Sequence, residues 1–467
     1  MDYKIAAGPA TLEPPPASKQ PRPVSAAPRS DGPRPQLDRD SAPALAPPPA
    51  TERLMSLDAY RGLIMLFMAS SGFGLTQVAK EVAKTNPDTW WRYLAFQVDH
   101  VPWLTGTTSQ LYWGLSLWDL IQPAFMFMVG VAMPYSYSRR QARGDSYGSM
   151  LGHAVLRSII LVLLGVYLSS NWDTQTNWSF MNVLSQIGLG YTFVFLLMNR
   201  HQALQWLAFV AVLGGMWYAY YAYVPPPPSE YAKYGITEKE IADGAVLSGI
   251  GHPWSKNINF AAEQDRWFLN LFPRKEPFAF NNGGYQTLNF VTSIATMVLG
   301  LIVGEMLRRE MTQQQRMLWL GICGAVLLAT GLALGLTVSP NVKRIWSPSW
   351  TLYSGGLVVW MLAALYWIID VRGWRRWSWF LVVVGMNSIA MYMMSQLLKP
   401  YTAATLKRHL GLPFEAAANW LNTRMSFGWP TELFGGLYGP IFEKTAVLLV
   451  FWLVCVWMYR QKIFVRI

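Results

Sequence analysis

The sequence predicts an all-α protein, a polytopic transmembrane helical bundle of about ten spans with both termini in the cytoplasm. Three observations carry that expectation. Of 467 residues, 52% are hydrophobic and 14% charged, a balance that points to a chain embedded in lipid. Apolar runs of about twenty residues recur, the length at which a helix crosses a hydrocarbon core. The 23 Trp residues gather at the edges of those runs, as at Trp90-Trp91 and Trp377-Trp379, where the indole suits the membrane–water interface. The runs are continuous rather than alternating, which favours helices over a barrel.

Residues 1–52 are rich in Pro and Ala and carry no apolar core of a signal peptide. They read as a disordered cytoplasmic tail, since they hold too little apolar surface to offset the entropy of ordering. The membrane domain occupies 53–467. Its spans start near Leu57, Tyr112, Met150, Trp178, Gln202, Thr287, Met317, Trp350, Trp379 and Tyr438. The first inserts as an uncleaved span.

Charge sets the orientation. Arg139, Arg140 and Arg143 follow the second span, and Arg308, Arg309 and Arg316 the sixth. Arg372, Arg375 and Arg376 follow the eighth, and Arg460, Lys462 and Arg466 the tenth. All fall on one side if spans alternate, and a positive side is the cytoplasmic one. Lys343, Arg344 and the basic loop from Lys399 to Arg424 break the pattern. The net charge of +12 is therefore a matter of orientation and does not call for nucleic acid. Two long segments, 224–285 and 399–434, fall outside. The first is aromatic enough to pack as a small cap, and long ordered loops are more often functional than decorative.

Both cysteines, Cys323 and Cys455, lie inside apolar runs, so no disulfide framework is expected. His153, His201, His252 and His409 show no metal-ligand spacing, and no metal is assigned.

Few residues are left that could carry chemistry. His100 sits in the first outer loop, within DHVPW. An imidazole titrates near neutrality, so it can act as base or nucleophile; a loop histidine can equally be no more than solvated. Asp119 is a carboxylate about two turns into the second run, where a charge costs a few kcal/mol unless it is paired or functional. It is better placed than Asp99 to orient the ring, because side chains adjacent in sequence seldom face each other. Asp58 and Arg61, at i and i+3 in SLDAYRG, share one helix face at the inner mouth of the first span. They form an anchoring ion pair or offer Arg61 to a phosphate. Arg157, inside the third run, needs a carboxylate, carbonyls or a ligand anion. Asn182, Ser185, Gln186, Asn289, Glu305, Asn387, Ser388, Glu443 and Lys444 are the other polar groups within runs. The ordinary role of such groups is interhelical hydrogen bonding, although Asn387, in GMNS, also suits a polar cavity.

Several blocks resemble a known family. They are SLDAYRGLIMLFM, DHVPW, WGLSLWDLIQPAFMFMVGVAMPYS, FMNVLSQIGLGY, QTLNFVTSIATMVLGLIVGEMLR, VKRIWSPSWTLY, GMNSIAMY and YRQKIF. In this order, from about residue 54 to the end, they are similar to the heparan-α-glucosaminide N-acetyltransferase family and its bacterial relatives. The resemblance implies transfer of an acetyl group from cytosolic acetyl-CoA, as co-substrate, to an extracytoplasmic amino sugar or glycan. It implies an integral protein of the bacterial inner membrane, and a homodimer. By position, His100 matches the family's active histidine, and Asp58, Asp119 and Arg61 match its carboxylates and span-one arginine. On this reading His100 and Asp119 are catalytic, while Asp58, Arg61, Arg157, Asn289 and Asn387 are the candidates for holding the donor.

The chain also departs from the family pattern. Ser70-Ser71-Gly72 stands where relatives carry Asn late in the first span. Ser395-Gln396 replaces a second His, and Val342-Lys343 replaces Asn-Lys. Acceptor specificity is therefore not carried over. Without the resemblance, a sugar or lipid-linked-sugar transporter, its path lined by intramembrane Asp, Arg and Asn, fits the same residues. A structural subunit without catalysis also remains.

Overall fold

Each of the ten apolar runs forms helix. The computed structural model describes residues 54–86, 89–101, 103, 115–425 and 434–465. The expected tail at 1–52 lies outside the described residues, as do 426–433 of the second long loop and Arg466. The chain from Pro47 onward makes up one unit.

In chain order the helices are α1 (Met55–Ala69), α2 (Leu75–Ala83), α3 (Trp91–Gln97), α4 (Leu117–Ala142), α5 (Tyr147–Ser170) and α6 (Val183–Leu197). Next come α7 (Gln202–Tyr221), α8 (Glu238–Ala242), α9 (Phe260–Phe268), α10 (Asn289–Leu307), α11 (Gln313–Thr337) and α12 (Pro348–Tyr366). The last are α13 (Trp379–Met386), α14 (Ser388–Leu397), α15 (Lys399–Leu406), α16 (Leu412–Met425) and α17 (Gly439–Arg460). Among the described residues there is no β-strand. Seven of these helices are long and apolar enough to cross a membrane, or nine spans if each bent pair, α1 with α2 and α13 with α14, counts as one. The remaining run is the shorter apolar helix α6. The protein is a multi-pass, all-α membrane bundle.

Burial separates inner helices from outer ones. The apolar stretch of α10 is 83% buried and that of α4 72%, against 22% for α5, α11 and α17. The outer helices turn residues such as Leu156, Leu163, Ile322 and Leu453 outward, the surface that acyl chains would cover. At the centre α4 and α10 touch backbone to backbone. A Cβ added at Gly130 would lie 1.9 Å from the Met297 carbonyl oxygen, and one at Gly300 would lie 2.0 Å from that of Phe127. Small residues allow this approach, and in lipid such packing supplies much of the association energy.

The bend between α1 and α2 is a left-handed turn. Ser71, Gly72, Phe73 and Gly74 have φ of 51°, 63°, 52° and 70°, and the two helices meet at 43°. Gly72 and Gly74 adopt this conformation freely, whereas Ser71 and Phe73 strain to do so, at about 1–3 kcal/mol each. Gly72 packs on Val98, and Gly74 on Pro440 at the start of α17. The turn thus braces the loop that carries His100.

The 224–285 segment, the cap, packs against α7 and Trp103. Trp254 is fully buried, stacked on Tyr220 of α7 at 6.0 Å between centroids. Its carbonyl accepts from Trp103 Nε1 at 3.0 Å. Asp265 of α9 is also buried at the base of the cap. One carboxylate oxygen accepts from the Thr287 N–H at 2.9 Å, and the other has no partner among the described residues. Burial pushes this carboxyl up to about 6, against the pull of the Thr287 bonds and of Arg274 and Arg266. A carboxyl that holds its proton more tightly when folded stabilises the fold fully below about pH 4, and that contribution is lost as the pH rises through about 6. At neutral pH the charge costs about 3 kcal/mol. Asp265→Asn is therefore expected to raise the thermal midpoint at pH 7.5 and to match the wild type below pH 4. Equal midpoints at both pH values would contradict this.

Candidate active site

Helix α4 begins at Leu117 because the Ser116 side chain caps it, its Oγ accepting from the Asp119 N–H at 3.1 Å. Asp119 therefore lies in the first turn of the helix rather than two turns deep. There the carboxylate also benefits from the positive end of the helix dipole. The Ser116 cap sets the start of the helix at Leu117, later than the apolar run from Tyr112 predicts.

Three side chains, an imidazole, a carboxylate and an ammonium, meet at this point. His100 Nδ1 lies 3.1 Å from Asp119 Oδ1. Lys343 Nζ lies 2.8 Å from the same oxygen and 3.0 Å from His100 Nδ1. Asp119 Oδ2 accepts from the Val101 N–H at 3.4 Å. Asp119 is fully buried and the Lys343 side chain is 6% exposed, whereas the His100 side chain is 42% exposed. A neutralised ion pair thus sits beneath an imidazole that solvent can reach. Asp99, as anticipated, does not orient the ring; its carboxylate takes the His100 backbone N–H at 2.8 Å.

This arrangement couples the proton on the ring to its two neighbours. When Nδ1 carries hydrogen it donates to Asp119, leaving the Nε2 lone pair to accept a proton or attack a carbonyl. When Lys343 donates to Nδ1 instead, hydrogen moves to Nε2 and the ring loses that capacity. Among the described residues Nε2 has no hydrogen-bond partner. The edges of Trp118 and Tyr285 flank the ring at 6.4 Å each. A pocket of about 320 Å³ opens beside it, lined by Thr76, Lys80, Arg92, Asp99 and His100 among others.

Neighbouring residues hold the loop. Arg344 donates to the Gly283 carbonyl at 3.3 Å and the Val101 carbonyl at 3.4 Å, tying the His100 loop to the end of the cap. Asn289 of α10 donates to the Arg344 carbonyl at 2.7 Å. It supports the cluster from behind, with no direct bond to His100. Lys343 and Arg344 join the cluster although no motif marks them as candidates. Their signal was present: both break the charge asymmetry of the loops, and the pairing with Asp119 and the loop carbonyls accounts for the exception.

The remaining candidates lie elsewhere. Asp58 and Arg61 pair across one helical turn of α1 at 3.8 Å. Arg157 donates to the Tyr191 hydroxyl at 3.2 Å and stacks on its ring at 4.7 Å, while its buried Nε has no partner among the described residues. Asn387 stands in the break between α13 and α14. It donates to the Ile463 carbonyl and accepts from the Val465 N–H, both at 3.1 Å, and so ties down the segment after α17.

The chain is 25% identical to human heparan-alpha-glucosaminide N-acetyltransferase (Homo sapiens) over 442 residues, covering 82% of this chain and 60% of the human protein. It is 24% identical to the mouse protein of the same name (Mus musculus) over 397 residues, covering 75% and 54%. The chain is a distant relative of that family. It spans little more than half the length of these relatives, and no family model matches it.

Proposed function

We propose that the protein is a membrane-embedded acyltransferase that moves an acetyl group from acetyl-CoA, supplied in the cytoplasm, to an amino sugar or glycan on the opposite face. The observation that carries this reading is the buried Asp119–Lys343 pair holding a solvent-reachable imidazole. The name of the distant relatives supports the same chemistry.

The problem the fold must solve is distance. CoA is polyanionic and cannot cross about 30 Å of hydrocarbon. The donor's charged end would bind at the cytoplasmic mouth, where the Asp58–Arg61 pair and Arg157 offer guanidinium groups suited to phosphate. The thioester then meets His100 at the other end, beneath the 224–285 cap. The unpartnered Arg157 Nε is the kind of donor such a ligand would satisfy.

His100 acts through Nε2, either taking the proton of the acceptor amine or receiving the acetyl group itself and passing it on. Asp119 accepts from Nδ1–H, fixes the tautomer and stabilises the imidazolium, by the logic of a catalytic triad. Lys343 neutralises Asp119 between turnovers. The protein would reside in a bacterial inner membrane, as a homodimer.

Purified protein given acetyl-CoA and glucosamine is expected to release CoA thiol and form N-acetylated sugar. A protein that moves glucosamine across vesicles but neither binds nor consumes acetyl-CoA would be a transporter, and the acyltransferase reading would fail.

A further inference from the structure

A second pair of reactive groups lies apart from the His100 cluster. Lys399, the first residue of α15, places Nζ 2.6 Å from Ser71 Oγ. Ser71 opens the left-handed turn after α1 with φ of 51°. Non-glycine residues held in such a conformation concentrate at functional sites, nucleophiles among them. Both side chains are partly exposed rather than sealed in the core.

An ammonium at this place would ordinarily seek a carboxylate. Lys399 has none within ion-pair distance among the described residues. Glu443 of α17, next to Lys444 in the chain, is taken by Lys444 at 2.7 Å and Lys407 at 2.6 Å. Lys399 thus faces a hydroxyl on one side and the positive charge of Lys444 on the other. Burial, and then the Lys444 ammonium, pull its amine down to about 8. At neutral pH a useful fraction is uncharged and able to accept a proton.

We infer that Ser71 and Lys399 form a serine–lysine dyad that takes an acyl group from an ester or thioester onto Ser71 Oγ. Serine–lysine pairs are an established alternative to serine–histidine in nucleophilic catalysis. Neutral Lys399 Nζ takes the hydroxyl proton as Oγ attacks the acyl carbon. The bond from that carbon to the leaving sulfur or oxygen breaks, and the leaving group takes the proton from Lys399. Ser71 is left as an O-acyl ester, with Lys399 neutral again. An acceptor amine or water then reverses the exchange. The dyad rests on the acyl-transfer reading for the identity of its natural donor, but not for its reactivity. Its place beside the His100 loop, through the contact of Gly72 with Val98, puts it within the same end of the bundle.

The test is covalent labelling of the purified full-length protein with a fluorophosphonate, followed by peptide mapping. The phosphorus is expected on Ser71 in the wild type. The labelling rate is expected to rise about tenfold from pH 7 to pH 9 as Lys399 loses its proton. Lys399→Met should lose at least about tenfold of the rate, while His100→Ala keeps it. Mapping on the wild type makes the result independent of whether Ser71→Ala folds. A folded wild type that leaves Ser71 unlabelled at pH 9 overturns the dyad, even if acetyl-CoA is consumed. Labelling of Ser71 in a protein that does not consume acetyl-CoA upholds the dyad and removes acetyl-CoA as its donor.

Discussion

His100→Ala is expected to lower acetyl transfer by about a thousandfold, the scale on which a general base contributes. The loss should fall on kcat, because the donor's charged end is untouched. The thermal midpoint should stay near that of the wild type, since the imidazole is 42% exposed and its removal leaves Asp119 paired with Lys343. Turnover is read as release of CoA thiol in the presence of glucosamine. A variant with wild-type turnover would remove His100 from the mechanism and leave the cluster as a structural ion pair.

The second large effect concerns the pair beneath the ring. Asp119→Asn strands the Lys343 ammonium at a site where its side chain is 6% exposed. An uncompensated buried charge of this kind costs about 3–5 kcal/mol. The variant should therefore lose stability together with most of its activity, on the order of 10⁴-fold if the carboxylate works as in a catalytic triad. Lys343→Met strands the anion instead and should also be destabilised, although His100 still shares the charge. Combining Asp119→Asn with Lys343→Met removes both charges. Stability should largely return in the double variant, whereas activity should not. If the double variant regained turnover, Asp119 and Lys343 would be packing rather than chemistry. Additive stability losses would mean that the two groups do not interact.

Much of this architecture was legible from composition and apolar run length. Lipid forces backbone hydrogen bonds inward, so each long run had to be helix. Run length says less about bends and caps. The left-handed turn at Ser71–Gly74 lies within or beside the first run and carries no charge to mark it. Asp119 looked deep because Tyr112–Ser116 are apolar or small, whereas the Ser116 cap starts the helix later. His100 and Asp119 could be paired in advance because one chain segment leads from one to the other. Lys343 is 243 positions from His100, and only the folding of the 339–347 segment onto the head of α4 brings it in. Asn387 shows the opposite: a polar residue in an apolar run invited a cavity, and the fold gives it the backbone after α17.

Sealed proteoliposomes separate the two faces of the membrane and so isolate transfer across it through His100. Glucosamine is trapped inside, acetyl-CoA is added outside, and the N-acetylated sugar in the lumen is counted after external acetyl-CoA is removed. Luminal product is expected from the fraction of protein with its Arg61 mouth outward, and none from His100→Ala. Luminal product at wild-type level from His100→Ala, or product confined to the side that holds acetyl-CoA, would contradict it.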